Sequence, residues 1–175
     1  MMDLAVPSQR QRVSRMSRDI EVEQAVADFG PEMFGLALAI TANVIDAEDA
    51  YQTAWLEAIG HWDQLRESSK RRQWLASIVA RAAQRTLRRR MLWRRRHTGL
   101  AQATILAVAV ARDPALVAAL SRLSRRQRAV VALHYGQGYS LAETADILSC
   151  SAGSVRSHLA RALAKLRREL ADDDT

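Results

Sequence analysis

The 175-residue chain is poor in the residues that form disulfides and interrupt helices. Its single cysteine, Cys150, excludes an internal disulfide and a zinc site made of several cysteines. Only three prolines and seven glycines are present, which favours long helices. No apolar run approaches the roughly 20 residues that span a bilayer, and Met1 to Arg18 lacks the apolar stretch of a signal peptide. We therefore expect an all-α cytosolic protein with no membrane insertion.

Acidic residues are also outnumbered. The chain has 26 Lys and Arg against 19 Asp and Glu, a net charge of +7 and a pI near 10.6. This excess predicts a polyanionic partner, either a nucleic acid or an anionic membrane surface, and charge alone does not choose between them. The length predicts one or two small domains rather than a large enzyme.

The C-terminal part contains three helix starts in quick succession. Ser124 and Ser140 each precede Gln127 or Glu143 by three residues, the spacing of a capping box. Gly136 and Gly138 follow the first of these helices and can end it. The pattern then predicts a short helix from Leu141 to Leu148 and, with Ser151 as its N-cap, a longer one to about Leu170.

The last of these predicted helices is amphipathic and basic. Its apolar residues recur at steps of three and four: Val155, Leu159, Ala162, Leu163, Leu166 and Leu170. The other residues form a polar face: Ser154, Arg156, Ser157, Arg161, Lys165 and Arg168. A helix, a three-residue turn and a basic helix are typical of the helix-turn-helix motif, whose second helix enters the DNA major groove. A solvated helical hairpin with no DNA partner is the alternative.

The first half contains a helix with an acidic face. Asp46 is the expected N-cap of this helix and Gly60 its end. Its core-facing stripe contains Ala47, Ala50, Tyr51, Ala54, Trp55, Ala58 and Ile59. The opposite face gathers Glu48, Asp49, Gln52, Thr53 and Glu57. Such a face is usually only exposed to solvent. Because this acidic face is isolated in a basic chain, a protein-binding surface is a reasonable alternative.

A second long helix is expected to begin near Arg72 and to turn six residues inward: Trp74, Leu75, Ile78, Val79, Ala82 and Leu87. Eight arginines and no acid then follow from Arg81 to Arg96, with Trp93 among them. Phosphates neutralise such a cluster and release counterions, so a nucleic-acid contact is favoured over an idle surface. Some of these arginines can still be a basic tail on the domain.

These features divide the chain into four parts. A disordered basic tail is expected at residues 1–18, with Met16 as an alternative start, and a helical domain at 19–97. A linker follows at 98–112. Asp113 and Pro114 then suit the N-cap and first position of a helix that opens a second domain at 113–171.

The chain resembles the bacterial sigma-70 family of RNA polymerase sigma factors, in the short extracytoplasmic-function form that keeps regions 2 and 4. Region 2 is similar in the acidic segment Asp46–Asp49 followed by Gln52, and in the Trp74–Ile78 block. Region 4 is similar at Leu120–Leu123, Gln127–Arg128, Leu133, Glu143–Ala145, Leu148, Gly153–Ser157 and Arg161–Ala162.

The resemblance implies two helical domains and a promoter-specificity subunit with no cofactor, metal or catalytic site of its own. Its partners would be core RNA polymerase, through the β′ coiled coil and the β flap, promoter DNA and an anti-sigma factor. It would act in the cytoplasm, at the nucleoid. Region 4 would bind the minus-thirty-five element as duplex, and region 2 would melt the minus-ten element.

The resemblance also implies roles for individual residues. The minus-thirty-five element would be met by Ser154, Arg156, Ser157, Arg161 and Lys165. The minus-ten element would be met by Trp62, Arg66, Lys70, Arg71, Trp74, Arg81, Arg85 and Arg88. Core polymerase would be met by Glu48, Asp49, Gln52 and Thr53. Arg81 and Arg85 stand where the family often has Asn and Asp, so the minus-ten sequence does not follow from the resemblance.

Two other classes of protein compete with this interpretation. A stand-alone repressor would use the helix-turn-helix and dimerise through its first half. A serine recombinase would need an α/β catalytic domain, whereas the first half has helical periodicity. His61, His97, His134 and His158 have no metal-ligand spacing, which disfavours a metalloenzyme.

Overall fold

The computed structural model describes residues 9–65, 67–96 and 119–172. All regular elements in these ranges are helical, as predicted. The long helices of the first half are α1 (Gln9–Thr41), α2 (Val44–Gly60) and α3 (Arg71–Arg96), with 3₁₀ turns at Trp62–Gln64 and Ser68–Lys70. The second half contains α4 (Arg125–Val131), continued by a π-helical turn at Ala132–Gly136, then α5 (Leu141–Ile147) and α6 (Ala152–Asp172).

Helices α1, α2 and α3 pack against one another around an apolar core. The predicted inner stripes are largely confirmed, since α2 buries four alanines and Trp55, and α3 buries Leu75, Ile78, Val79 and Ala82. Ile59 is an exception, being 38% exposed. Gly30 lets α1 approach α2 closely, because an added Cβ would lie 3.0 Å from the Tyr51 hydroxyl.

Helix α1 extends further towards the N-terminus than expected. It begins at Gln9, so residues 9–18, which we assigned to a disordered tail, are helical. The physical reason is that residues 8–29 contain neither glycine nor proline, so nothing in the sequence ends the helix there. Residues 1–8 of the predicted tail lie outside the described residues.

The prediction that Asp46 caps α2 is wrong. The cap is Asn43, whose Oδ1 accepts a hydrogen bond of 3.0 Å from the Asp46 backbone N–H. Ala42, at φ 53°, reverses the chain just before it. Asp46 therefore lies in the first turn, where its carboxylate forms an ion pair with Arg90 of α3.

The three C-terminal caps are confirmed. Both predicted capping boxes form, Ser124 with Gln127 and Ser140 with Glu143. The Ser151 hydroxyl accepts from the Ser154 N–H at 3.1 Å. Gly138, at φ 74°, takes the left-handed conformation that lets the chain turn from the π-helical segment into α5.

The two halves share one apolar core, which runs from Ala25 in α1 to Val155 in α6. Helix α1 contacts α4 and the π-helical turn, and α3 contacts α5. A smaller cluster joins Ala119 and Leu123 to Ala162 and Leu166 of α6. The predicted linker at 98–112, the pair Asp113–Pro114 and the side chain of Trp93 lie outside the described residues.

Candidate nucleic-acid interface

The turn between α5 and α6 has the length of a helix-turn-helix connection. Residues 148–151 form it, with Ser149 at φ 50°, the Cys150 N–H donating to the Ala145 carbonyl at 3.0 Å, and Ser151 as the N-cap of α6. Cys150 is partly buried and packs against the core. The hydrogen bonds from Ser140 lower the pKa of Glu143, so the carboxylate that closes the α5 capping box stays ionised at neutral pH.

The first turns of α6 expose three of the five residues predicted to meet the minus-thirty-five element. Arg156, Ser157 and Arg161 are exposed. Ser154 is partly buried, with its hydroxyl 2.9 Å from that of Ser151. Lys165 is partly buried too and donates to the Arg122 carbonyl at 2.7 Å. The structure therefore directs Lys165 towards the segment that precedes α4.

The two exposed arginines of α6 do not share one face. At 3.6 residues per turn, Arg156 and Arg161 are separated by about 140° around the helix axis. Ser157 lies about 40° from Arg161 on the same scale. A helix inserted in a groove would thus present Arg156 towards one wall and Ser157 with Arg161 towards the other.

The segment before α3 places its two tryptophans differently. Trp62 is only 5% exposed, because its ring packs edge-on against Trp74 with centroids 6.0 Å apart. Its Nε1 donates to Glu21 of α1 at 3.4 Å, and the Arg71 guanidinium lies 5.2 Å from its ring centroid. Trp62 thus belongs to the core, and its predicted direct contact with an unpaired strand does not fit this arrangement. Trp74 is partly buried.

The remaining residues predicted to meet the minus-ten element divide into paired and exposed cations. Lys70 forms an ion pair with Glu67 at 2.8 Å, and Arg71 forms one with Glu21 at 3.4 Å. Arg66 lies outside the described residues. Arg81 and Arg88 are exposed and make no ion pair with any described residue.

Three arginines between Arg81 and Arg96 of α3 are neutralised within the protein, and the sequence does not predict this. Arg85 pairs with Glu57, and Arg90 pairs with Asp46. Asp49 accepts from Arg89 at 2.7 Å and from the Thr86 hydroxyl at 2.9 Å. The packing of α2 on α3 brings these groups together, although they are 28 to 44 residues apart in the chain. The acid-free stretch of α3 is therefore not free of acidic neighbours.

The acidic face of α2 includes two apolar residues that sequence reasoning missed. Ile45 and Leu56 are 73% and 72% exposed, and their helical spacing places them on either side of Gln52 along the same face. Glu48 is exposed, and Thr53 is partly buried. A helical wheel would have revealed both residues as large apolar side chains outside the core stripe. Exposed apolar residues grouped with polar ones are typical of docking sites.

Within residues 9–65, 67–96 and 119–172, no three His, Cys, Asp or Glu side chains are grouped so that they could hold a metal ion. None of the helices in the same ranges is both long and apolar enough to cross a membrane.

Comparison with protein families gives two matches. Residues 25–92 match the model of sigma-70 region 2, and residues 114–166 match that of sigma-70 region 4. Together they cover both halves of the chain in the order that the resemblance requires.

Individual relatives agree with these matches. The chain is 31% identical to the RNA polymerase sigma-E factor of Streptomyces avermitilis over 157 residues, which cover 89% of this chain and 88% of that protein. It is 37% identical to the ECF RNA polymerase sigma factor SigM of Mycobacterium tuberculosis, with coverage of 79% and 71%. A match to the probable RNA polymerase sigma factor RfaY of Xanthomonas campestris, at 33% identity, spans only 36% of that longer protein.

Solved structures with a similar fold include two sigma factors in complexes. One is the sigma factor RpoE of Bartonella quintana in complex with the anti-sigma factor NepR, with a TM-score of 0.71, 22% identity and coverage of 86% and 97%. The other is CnrH in complex with the cytosolic domain of CnrY, with a TM-score of 0.62, 25% identity and coverage of 88% and 89%. The chain therefore belongs to the extracytoplasmic-function sigma factors of the sigma-70 family, which bind core RNA polymerase and direct it to promoters.

Proposed function

We propose that α6 reads the minus-thirty-five element with Arg156, Ser157 and Arg161. The observation that carries this assignment is that these three side chains are exposed on the first turns of a capped second helix, the part of the motif that lies nearest the base edges. Arg156, nearer the N-terminus, contacts a base, and Arg161 contacts a phosphate on the other wall. Ser154 and Lys165 play supporting parts, because both are engaged inside the domain.

For the minus-ten element we assign the segment from Leu65 to Lys70 together with Trp74, Arg81 and Arg88. An extruded base costs a few kcal/mol of stacking, which an aromatic surface and nearby cations must offset. Trp74 is only partly buried and offers part of its surface. Trp62 supports Trp74 from within the core. Arg85 is paired with Glu57 and reaches DNA only if that pair opens.

Core polymerase binds the exposed face of α2 in this proposal. Glu48 and Gln52 supply polar contacts, while Ile45 and Leu56 supply the apolar area that charge pairs on a surface lack. Asp49 contributes less than expected, because Thr86 and Arg89 occupy its Oδ2 atom. The partner surface is the β′ coiled coil, and region 4 contacts the β flap.

The protein is a specificity subunit with no catalytic site of its own, acting at the nucleoid. An anti-sigma factor is a further proposed partner, since the sigma factor RpoE of similar fold is in complex with one. The domain limits of 19–97 and 113–171 remain our proposal for the two functional units.

Transcription with purified core polymerase tests this function. Core polymerase is mixed with the chain and a library of genomic fragments, and transcript 5′ ends are sequenced. We expect start sites that share two upstream elements and that disappear without the chain. Fragment binding without any new transcript would instead favour the repressor.

A further inference from the structure

A cleft between α3 and α4 is lined by three arginines and one side-chain amide. Its volume is about 270 Å³. Gln84 and Arg88 line it from α3, and Arg125 and Arg126 line it from the first turn of α4. Gln84 and Arg88 are one helical turn apart, so they lie on the same face of α3. The packing of the two helices thus brings together three positive charges that are distant in the chain.

The positive charges of this cleft have no acidic partner among the described residues. No carboxylate of those residues lines the cleft, and Arg88, Arg125 and Arg126 form no ion pair with any of them. Three acidic side chains of α2 already pair with other arginines of α3. The sequence supplies few alternatives, because Asp113 is the only acidic residue between Glu67 and Glu143.

The positions of Arg125 and Arg126 are unfavourable for the fold itself. Both lie in the first turn of α4, which contains no acidic residue, and the positive end of a helix dipole disfavours cations there. Arg125 also repels Arg128, whose pKa is lowered by burial and then further by the charge of Arg125. These arginines therefore destabilise the free protein, and an anion in the cleft would offset that effect.

The free hydrogen-bond donors of the cleft suit phosphate groups. A guanidinium carries five N–H donors in a planar fork that matches phosphate oxygens. The side chains of Gln84, Arg88, Arg125 and Arg126 make no hydrogen bond to a described residue, so their donors are available. One phosphate carries about two negative charges at neutral pH, and three arginines therefore match a chain of phosphates better than a single one.

The size and the lining of the cleft limit what else it could hold. Sites for whole small molecules usually have volumes of about 300–1,000 Å³ and are lined mostly by apolar and aromatic side chains. The cleft has about 270 Å³, and no apolar or aromatic side chain of the described residues lines it. A nucleoside base would find nothing there to stack on, so the cleft fits a phosphate chain alone.

A larger cavity beside this cleft is less suited to an anion. It has about 500 Å³ and shares Arg125 with the cleft, but the Asp46 carboxylate lines it as well. Its other two arginines are engaged, because Arg90 pairs with Asp46 and Arg128 donates to three backbone carbonyls. Unengaged positive charge is therefore concentrated in the smaller cleft.

We propose that the cleft formed by Gln84, Arg88, Arg125 and Arg126 binds the phosphate chain of a small polyphosphate. The chain is supplied either as inorganic polyphosphate or as part of a nucleoside triphosphate whose base stays outside the cleft. This site goes beyond the proposed function, which uses neither Arg125 nor Arg126. Arg88 is shared with the proposed minus-ten surface, so the test leaves it unchanged.

Isothermal titration calorimetry of the full chain with inorganic tripolyphosphate, without Mg²⁺, tests the site. We expect saturable binding of one tripolyphosphate per chain. Arg125→Gln and Arg126→Gln each remove a charge-assisted contact and should weaken binding about tenfold. Circular dichroism shows whether each variant is folded. If Arg125→Gln is not, Arg126→Gln decides the test, because Arg126 is exposed.

Arg167→Gln is the matched control for net charge. Arg167 is an exposed arginine of α6 that does not line the cleft and forms no ion pair with a described residue. Its replacement removes the same charge and should change the dissociation constant by less than about twofold, because salt screens distant charges. Equal weakening in all three variants would indicate non-specific attraction and would overturn the site.

ATP and adenosine are the probes that distinguish the two sources of the phosphate chain. Adenosine should not bind, and ATP should bind no more tightly than tripolyphosphate. Equal affinities would show that the cleft accepts the chain from either source, and weaker binding of ATP would assign the inorganic form. Binding of adenosine, or binding of ATP roughly tenfold tighter than that of tripolyphosphate, would overturn the recognition of the chain alone.

DNA is the competing partner for these arginines. The same variants are therefore titrated with a short duplex. No binding of tripolyphosphate at millimolar concentration would overturn the site. If Arg125→Gln and Arg126→Gln then weakened duplex binding, the two arginines would be assigned to the DNA backbone instead.

Discussion

Leu56→Ala tests the apolar part of the proposed polymerase surface. Leu56 is 72% exposed on α2 and contributes little to the core. Truncation to alanine removes three carbon groups at about 0.8 kcal/mol each when these are buried. Allowing for incomplete burial against the polymerase, we expect a loss of about 2 kcal/mol of binding free energy, or a dissociation constant about 30-fold weaker.

In the assay, the fluorescently labelled chain is titrated with core polymerase, and binding is measured by fluorescence anisotropy. Ile45→Ala should weaken binding in the same way, because Ile45 lies on the same face of α2. The matched control is Ile20→Ala on α1, which removes a side chain that is 62% exposed and outside the patch. The free energy of unfolding, measured by thermal unfolding, should change by less than about 0.5 kcal/mol in all three variants. Wild-type affinity of Leu56→Ala, with unchanged stability, would refute the assignment of this face.

Three further predictions concern the helix-turn-helix half. Ser149→Gly should raise the free energy of unfolding by about 1 kcal/mol in urea titrations, because a left-handed φ of 50° strains serine and not glycine. A loss of stability would show that the Ser149 hydroxyl stabilises the fold by more than the backbone strain costs. In fluorescence anisotropy across a salt series, Arg156→Ala should lose about 1–3 kcal/mol of binding free energy for minus-thirty-five duplex and should relax the preference for particular bases. Arg161→Ala should weaken binding to all sequences alike and should reduce the slope of log affinity against log salt concentration by about one. The reverse pattern would exchange the roles of the two arginines. The pKa of Glu143 is lowered in the folded state, so its carboxylate stabilises the fold above its ordinary pKa of 4.5, and this contribution is lost as pH falls through the lower folded-state pKa. Between neutral pH and acid, Glu143→Gln should therefore lose less free energy of unfolding than the wild type. Identical profiles of unfolding free energy against pH would contradict this.

Local chemistry made parts of the fold predictable. The caps at Ser124, Ser140 and Ser151 depend on residues three positions away, so the sequence alone places them. The inner faces of α2 and α3 follow from helical periodicity, which burial confirms at Trp55 and Leu75.

Other features depend on contacts between distant parts of the chain. Asn and Asp are both good N-cap residues, so the sequence does not choose between Asn43 and Asp46 as the cap of α2. In the structure the Asp46 carboxylate pairs with Arg90 of α3, and Asn43 is the cap. The burial of Trp62 depends on α1, which supplies Glu21, and no periodic pattern reports it. Arg72 donates a hydrogen bond to the backbone carbonyl of Gln137, 65 residues away, so nothing in either segment predicts this contact.

The pairing of α2 acids with α3 arginines changes how the site is understood. The sequence suggested an acidic face for polymerase and an arginine face for DNA as separate surfaces. In the structure Asp49 and Arg89 satisfy each other at 2.7 Å, so the two surfaces share an edge. What remains for the partners on these two helices is the exposed face of α2 beside Asp49, with its polar and its apolar residues, and the exposed Arg81 and Arg88 of α3.

Promoter-dependent transcription with purified core polymerase tests most directly whether this chain acts as a sigma factor through α2 and α6. The proteins compared are the wild-type chain, Leu56→Ala and the double variant Arg156→Ala, Arg161→Ala. We expect defined start sites with the wild type. Leu56→Ala should use the same sites but need more protein, and the double variant should lose them while still binding polymerase. Start sites that are unchanged in the double variant, or DNA binding with no polymerase-dependent transcript, would contradict this role.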